Sequence, residues 1–519
     1  MKVCLINPPR LLKPMSTTHK PSPPLGLAFI ASVLKKAGHS IQIVDCIAES
    51  PNVFYSFKDG IVINGLADED TIRLIDKDVD VIGFSVMFSG NWIHNRRLID
   101  HVGSNFPKAL IIAGGEHITA CPEFCFSQSK NLDVCVLGEG EETILALLDA
   151  IQNGKELYSV NGIAFRSKSN QIFLTAPRAR IRDLNNISRA DWSCFPIKKY
   201  REKNMSYGIS AEDTLSLPIL STRGCPYTCT FCSSPNMWGT RYYMRTPSDV
   251  ADEMEELITE YDVANFDFYD LTAIIKKDWI VDLCKEIINR NLNITWQIPA
   301  GTRSEAIDGE VADWLYKSGC KIITYAPESG STEVLKIIKK KVHLNKMIES
   351  IRHSSKRGLN VKINFMIGFP SETHKNILQN LWFLIKASWH GVNDMAPAIF
   401  SPYPGSELFE QLKLEGKIDM TGDEYFLEII NVETFFENKF YNTHISQKML
   451  RGYLVLYLMI FYASNFIFYP TRLFRTIRNL ATKNYESRGE MTLGELLKRS
   501  KIKITEYPAP SSNLELSVH

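Results

Sequence analysis

The chain has 519 residues, 45% of them hydrophobic and 23% charged, with a formal net charge of +1. That length suggests two or three domains, the balanced charge gives no reason to expect a nucleic-acid partner, and 11 cysteines scattered over such a length speak against a disulfide scaffold and for a reducing, cytoplasmic setting. The opening MKVCLINPP reads as a buried strand and lacks the order of a secretory leader.

Strands and helices alternate through residues 1–155. KVCLINPP is an apolar run of strand length, and Leu27, Ile30, Ala31 and Leu34 mark one face of a helix that Gly38 can stop. SIQIVDC (40–46), VDVIGFSV (79–86), ALIIAGGE (109–116) and DVCVLGEGEE (133–142) supply further strands; Ile144, Leu147, Leu148 and Ile151 line a last helix that ends near Gly154. This alternation predicts a Rossmann-like parallel sheet covered on both faces. Ligands of such sheets sit beyond the carboxyl ends of the strands. The loops there are NPPR (7–10), GGEH (114–117) and GEGEE (138–142), and Gly114 and Gly115 leave room for a bulky ligand at the backbone. Tight turns after strands would use the same glycines.

Residues 156–212 read as a hairpin with SKSNQ at its tip, then an irregular linker. A second alternation fills 213–420. Its strands are LSLPILS (215–221), ANFDFYD (264–270), NITWQIPA (293–300), KIITYAPE (321–328), VKINFMIGFP (361–370) and MAPAIFSPYPG (395–405). Helical stretches at 247–261, 276–290, 308–319, 343–357 and 374–389 separate them. Six parallel strands with intervening helices predict a partial barrel of the TIM type, with its chemistry at the C-terminal strand ends.

RGCPYTCTFCSS follows the first of these strands and holds Cys225, Cys229 and Cys232 in the spacing Cys-x3-Cys-x2-Cys. Iron–sulfur clusters are normally held by four thiolates. Three leave one iron with an open position, the mark of a catalytic rather than a structural metal. A zinc site short of a fourth ligand, or three unrelated buried thiols, are the alternatives. Asp270, Arg303 and Glu328 end or follow the next three strands and could form an ion-pair network at the barrel mouth.

The spacing and the barrel around it resemble the radical S-adenosylmethionine enzymes. The resemblance implies a [4Fe–4S] cluster whose unique iron binds the amino and carboxylate groups of S-adenosylmethionine, and one-electron cleavage to a 5′-deoxyadenosyl radical. It places Phe231 near the adenine, Asp270 by the methionyl amine or the substrate pocket, Arg303 by the methionyl carboxylate, and Glu328 in contact with S-adenosylmethionine. The first 155 residues resemble the cobalamin-binding domain that precedes many of these enzymes. Ser85 in SVM stands for a family Ser-x-Leu element, and Gly114-Gly115 for the glycine pair that follows it. PPLGLAFIASVLKKAGH (23–39) and GEGEET (138–143) also match. Pro9, Ser85, Gly114, Gly115, His117, Gly138, Glu139 and Gly140 are the expected cobalamin contacts. The Asp-x-His-x-x-Gly motif is absent, so no protein histidine is expected on cobalt.

The whole implies a cobalamin-dependent methyltransferase acting on an unactivated carbon. One S-adenosylmethionine would remethylate cob(I)alamin and a second would supply the radical. A radical oxidative cyclase of the magnesium-protoporphyrin ester type, and a non-catalytic iron–sulfur electron carrier or sensor, are the other readings. A reducing electron-donor protein is an expected partner. Residues 421–519 are expected to be mostly helical. From Gly452 to Phe468 there is no charge over 17 residues, short for a spanning helix, and Arg472, Arg475 and Arg478 follow. A helix packed on the barrel and a peripheral membrane contact through 450–478 both suit this stretch; either could serve a lipid-like, apolar substrate.

Overall fold

The computed structural model describes residues 1–13, 21–209, 213–430, 439–498 and 503–508; parts of the expected linker and of the C-terminal region fall outside them. In the first domain β1 (Lys2–Asn7), α1 (Leu25–Lys36), β2 (Ser40–Asp45), β3 (Val81–Ser85), β4 (Leu110–Gly114), α2 (Glu116–Ala120), α3 (Pro122–Gln128), β5 (Val134–Val136) and α4 (Gly140–Gln152) succeed one another. The hairpin β6 (Ile163–Arg166) and β7 (Ile172–Leu174) is where the sequence places it, but it joins the same sheet. The strand order is β7-β6-β5-β4-β3-β1-β2, with β1 to β5 parallel and the hairpin antiparallel. Order reverses between β1 and β3. In a doubly wound sheet that reversal opens a crevice at the carboxyl ends, the place for a ligand. Leu27, Ala28, Ala31 and Leu34 of α1 and Ile144, Leu147 and Leu148 of α4 are buried on the sheet, while Ile30 is only half-buried.

The barrel strands are β8 (Leu215–Ile219), β9 (Val263–Phe268), β10 (Thr295–Thr302), β11 (Cys320–Glu328), β12 (Asn360–Ile367) and β13 (Asp394–Ile399). They are parallel and pair in chain order, leaving the barrel open between β8 and β13. The short α5 (Ser234–Trp238) follows the cysteine loop; α6 (Pro247–Tyr261), α7 (Lys277–Asn289), α8 (Gly309–Lys317), α9 (Leu344–Lys356) and α10 (His374–Trp389) cover the outside. Each of these five starts and stops within two residues of the sequence reading. Inside, Asp267 accepts hydrogen bonds from the Ser206, Ser216 and Gln297 side chains, so the buried polar layer is satisfied from neighbouring strands and from the segment that precedes the barrel.

Behind the barrel come α11 (Glu424–Ile430), α12 (Gln447–Phe468) and α13 (Pro470–Thr482). Among the described residues α12 is the one helix long and apolar enough to cross a membrane. It instead lays Leu450, Leu454, Tyr457, Phe461 and Asn465 against the protein as a single buried stripe. Asn380 of α10 donates to the Tyr457 hydroxyl at 2.8 Å, and Tyr462 donates to Asp394 at 2.8 Å. Arg472, which a membrane contact would turn toward lipid, turns inward. Its guanidinium donates to the carbonyls of Gly391 and Val392 at 2.9 and 2.7 Å, groups that the end of α10 leaves nearby.

Candidate active site between the two domains

The cysteine loop leaves the C-terminal end of β8 and is fixed at its root before the first thiol. Ser221 and Thr222 both donate to Asp270, the Ser221 hydroxyl at 2.7 Å, and Asp270 is fully buried. Burial pushes its carboxyl up, against those hydrogen bonds. Asp270 therefore positions the loop from below. Next, Arg223 is buried and pairs with Glu139 at 3.1 Å and with Glu141, both in the first domain. Its guanidinium also lies 5.0 Å from the Phe29 ring of α1. Glu139 accepts from Arg180 at 3.2 Å and from the Ile181 amide at 2.9 Å. The GEGEE loop thus grips the residue two positions before Cys225. Gly140 packs close, since a Cβ there would meet Ile30 of α1 at 2.9 Å, whereas Gly138 has room.

Cys225, Cys229 and Cys232 are all half-buried. Burial raises each thiol, Cys229 to about 11, so they bind as thiolates only to a strongly positive centre. Iron supplies that charge, and Lys340 opposes the shift at all three. Three thiolates on one loop, with a cation behind them, fit a [4Fe–4S] cluster. Around them stand the other expected contacts. The ring of Phe231 is 5.8 Å from that of Phe369. The Arg303 guanidinium lies 4.3 Å over Tyr227 and donates to Glu305 at 2.9 Å. Glu328 accepts from Lys340 at 2.9 Å. Its backbone is left-handed, φ 65°. A non-glycine residue held there stores of order 1–3 kcal/mol, a cost met where the surroundings fix the side chain.

On the first domain, Ser85 and Gly114 are paired at the ends of β3 and β4. A Cβ at Gly114 would make only ordinary contacts, 3.6 Å to the Val136 carbonyl. Gly115 is different: its φ is +119° and a Cβ would sit 2.6 Å from the Val86 carbonyl. Its lack of a side chain serves the crossing of two chain segments. Met87 and Phe88 are exposed beside this loop, Phe88 by 73%, and Pro9 lies buried after β1. Strand ends at the order reversal, an open Gly114 and exposed apolar side chains suit the edge of a corrin. His117 does not point there. It is 1% exposed, bonds Ser89 at 2.9 Å, and lies between the rings of Trp92 and Phe426.

The two halves of the site meet. Glu116, next after Gly115, accepts from the hydroxyl of Ser233, next after Cys232, and α2 packs on α5. Burial raises the Glu116 carboxyl. Glu116, Glu141, Arg223, Ser233 and Lys340 stand at this junction, and sequence reasoning missed them. Arg223 was signalled only by its place before Gly224-Cys225, and nothing singles Lys340 out of the run KKKV.

Comparison with known proteins identifies both domains. The B12 binding domain family matches residues 15–148 and the Radical SAM superfamily residues 219–383. An uncharacterized methyltransferase of Pyrococcus horikoshii is 27% identical over 412 residues, 79% of this chain and 83% of that protein. The cytidylyl-2-hydroxyethylphosphonate methyltransferase of Streptomyces wedmorensis is 27% identical over 455 residues, 80% of this chain and 83% of that one. The fold is that of the radical S-adenosylmethionine methyltransferase TsrM from Kitasatospora setae, solved with cobalamin and a [4Fe–4S] cluster: TM-score 0.60 at 16% identity, covering 80% of this chain and 75% of that one. The chain thus carries a B12 binding domain ahead of a Radical SAM domain, and with them the cofactors those domains imply: cobalamin, a [4Fe–4S] cluster and S-adenosylmethionine.

Proposed function

We propose that this enzyme methylates an unactivated carbon of a small apolar molecule bound between the two domains. The observation that carries the reading is the contact of Glu116 with Ser233, which sets the Gly114–Gly115 loop directly against the cysteine loop. When bound, the cluster and cobalamin supply electron transfer and methyl transfer. Overall, two S-adenosylmethionine molecules and two electrons convert R–H to R–CH3, 5′-deoxyadenosine, methionine and S-adenosylhomocysteine; an electron-donor protein provides the electrons. The chain's own part is to hold three thiolates, position Lys340 and Glu328 beside them, and keep the junction closed through Arg223. Anaerobic turnover with methyl-labelled S-adenosylmethionine tests the reading. Labelled product with 5′-deoxyadenosine and S-adenosylhomocysteine in equal amounts is expected. 5′-Deoxyadenosine without S-adenosylhomocysteine would instead indicate oxidative cyclase-type chemistry.

The glycine pair offers a cofactor-specific test. Gly114→Trp fills the open side and is expected to bind no cobalamin after reconstitution while keeping parental iron and sulfide. Gly115→Ala is expected to destabilise the chain itself by about 1 kcal/mol or more, because the left-handed backbone and the Val86 carbonyl leave it no room. Equal cobalamin in Gly114→Trp and parent would remove Gly114 from the site.

A lipid-like substrate met at a membrane is the finer proposal, and a specific surface favours it. Trp382 and Trp389 of α10, Met459 and Ile467 of α12 and Phe474 of α13 are exposed, Phe474 by 72%. None of these three helices contains Asp or Glu. Exposed tryptophan beside an excess of basic charge suits an anionic bilayer surface, with Arg475 and Arg478 also facing Glu486 at 3.5 and 3.6 Å. Co-sedimentation with anionic vesicles is expected at low salt, weakening as salt rises and again in Arg475→Gln/Arg478→Gln, at roughly 1 kcal/mol for each arginine near the surface. No binding at low salt would leave α12 a barrel helix only.

A further inference from the structure

A second group of metal-binding side chains lies behind the Gly114–Gly115 loop. His117 in α2, Cys121 at the break between α2 and α3, and Cys125 in α3 recur at intervals of four residues. Their ligand atoms all lie within 4.8 Å of one another. His117 and Cys125 are buried and Cys121 half-buried, so the convergence is not an accident of mobile surface side chains. The Nδ1 of His117 is bonded to Ser89 Oγ at 2.9 Å, which orients the ring and leaves Nε2 for another partner. Cys121 Sγ lies beside the imidazole, 3.7 Å from Nδ1 and 3.8 Å from Nε2. Tetrahedral zinc, with Zn–N of about 2.0 Å and Zn–S of about 2.3 Å, sets an N···S separation of about 3.6 Å. Binding therefore requires the Cys121 thiol to swing from beside the ring toward the Nε2 lone pair, at nearly unchanged distance from Nε2. Cys135, fully buried in β5, lies in the same buried cluster as Cys125, and α2 packs on that strand. Its thiol is the candidate for a fourth donor.

We propose that His117, Cys121 and Cys125, completed by Cys135, form a structural site for a thiolate-binding divalent ion, zinc above all, separate from the iron–sulfur cluster. Thiolate and imidazole donors select such ions over magnesium or calcium, and four protein ligands leave no position for substrate. The ion takes the place of the thiol protons, which are released on binding. It ties α2, α3 and β5 together directly behind Glu116. It therefore fixes the loop by which the cobalamin domain touches the cysteine loop.

Cys225, Cys229 and Cys232 can hold a divalent ion themselves, so the test uses the full chain with all three changed to alanine. Cobalt(II) is the probe. About one equivalent is expected to bind with tetrahedral visible bands and thiolate-to-cobalt charge transfer in the near ultraviolet, and zinc is expected to displace it. Adding Cys121→Ser/Cys125→Ser abolishes the charge transfer, and His117→Ala weakens cobalt binding at least tenfold. Cys135→Ser lowers the charge-transfer intensity. The cluster-forming chain carrying only Cys121→Ser/Cys125→Ser retains its iron and loses zinc, which separates loss of the site from loss of the fold. If that variant does not fold, zinc-edge X-ray absorption of the triple-alanine chain decides: two or three sulfurs with nitrogen support the site, and nitrogen and oxygen alone overturn it. A triple-alanine chain that shows no cobalt charge transfer, or keeps it without Cys121 and Cys125, also overturns the proposal.

Discussion

Alanine at any one of Cys225, Cys229 or Cys232 is expected to abolish cluster assembly and, with it, cleavage of S-adenosylmethionine, while the fold survives. Each thiol supplies one of only three protein ligands, and a cluster left with two has no further cysteine on the loop to recruit. The fold survives because other residues hold the loop: Asp270 fastens Ser221 and Thr222, and Arg223 is fastened to Glu139 and Glu141. The three side chains are half-buried, so their truncation leaves no sealed cavity. Iron and sulfide per chain, the spectrum of the dithionite-reduced protein and 5′-deoxyadenosine formation are the measurements, with far-ultraviolet circular dichroism as the control for folding. Cys4, Cys46, Cys284 and Cys320 provide the contrast. All are buried in or beside strands and helices, and alanine there costs packing but no iron. A Cys229→Ala protein with parental iron and normal cleavage would end the assignment.

The barrel and the first sheet were legible because burial on both faces forces near-continuous apolar strands, and the intervening helices carry the 3.6-residue stripe. The cysteine loop was legible because ligand spacing is local in sequence. What the sequence could not show is pairing across long distances. Glu139 was expected at a cofactor and instead meets Arg223, 84 residues away; a carboxylate in a glycine loop reads the same in either role. His117 was expected there too, and the structure turns it inward between Trp92 and Phe426. The charge-free run of α12 left packing and membrane contact open, because composition does not say which neighbour covers a helix. Asn380, a polar residue of another helix, settles that one face is against protein. Arg472 shows the same limit: a basic residue after an apolar run can cap a neighbouring helix as readily as it can meet a phosphate.

Arg223→Met is expected to cost more stability than any other single change at the junction of the two domains. Arg223 is 4% exposed and holds two carboxylates, Glu139 and Glu141, whose side chains are nearly as buried. Methionine fills much of the volume but leaves those two like charges in an apolar place. Breaking a buried pair in this way typically costs about 3–5 kcal/mol, because the uncompensated charge must be carried by the folded state. Arg180 still faces Glu139 and limits the damage on that side, so Glu141 bears most of it. The pH dependence identifies the cause. A carboxylate stranded by the substitution has its folded-state pKa raised above its unfolded value, so the folded state then binds more protons. Part of the lost stability should return as pH falls through that raised pKa, toward about 4.3. Arg223→Met/Glu141→Gln should recover a large share at neutral pH and lose the pH dependence. The midpoint of thermal unfolding across pH reads the stability, and iron retention on gel filtration reads the cysteine loop, since Arg223 is two residues from Cys225. A loss below about 1 kcal/mol at pH 8, within the range of an exposed ion pair, would mean that the junction rests on the apolar packing around Phe29 and Trp238 and not on this charge cluster.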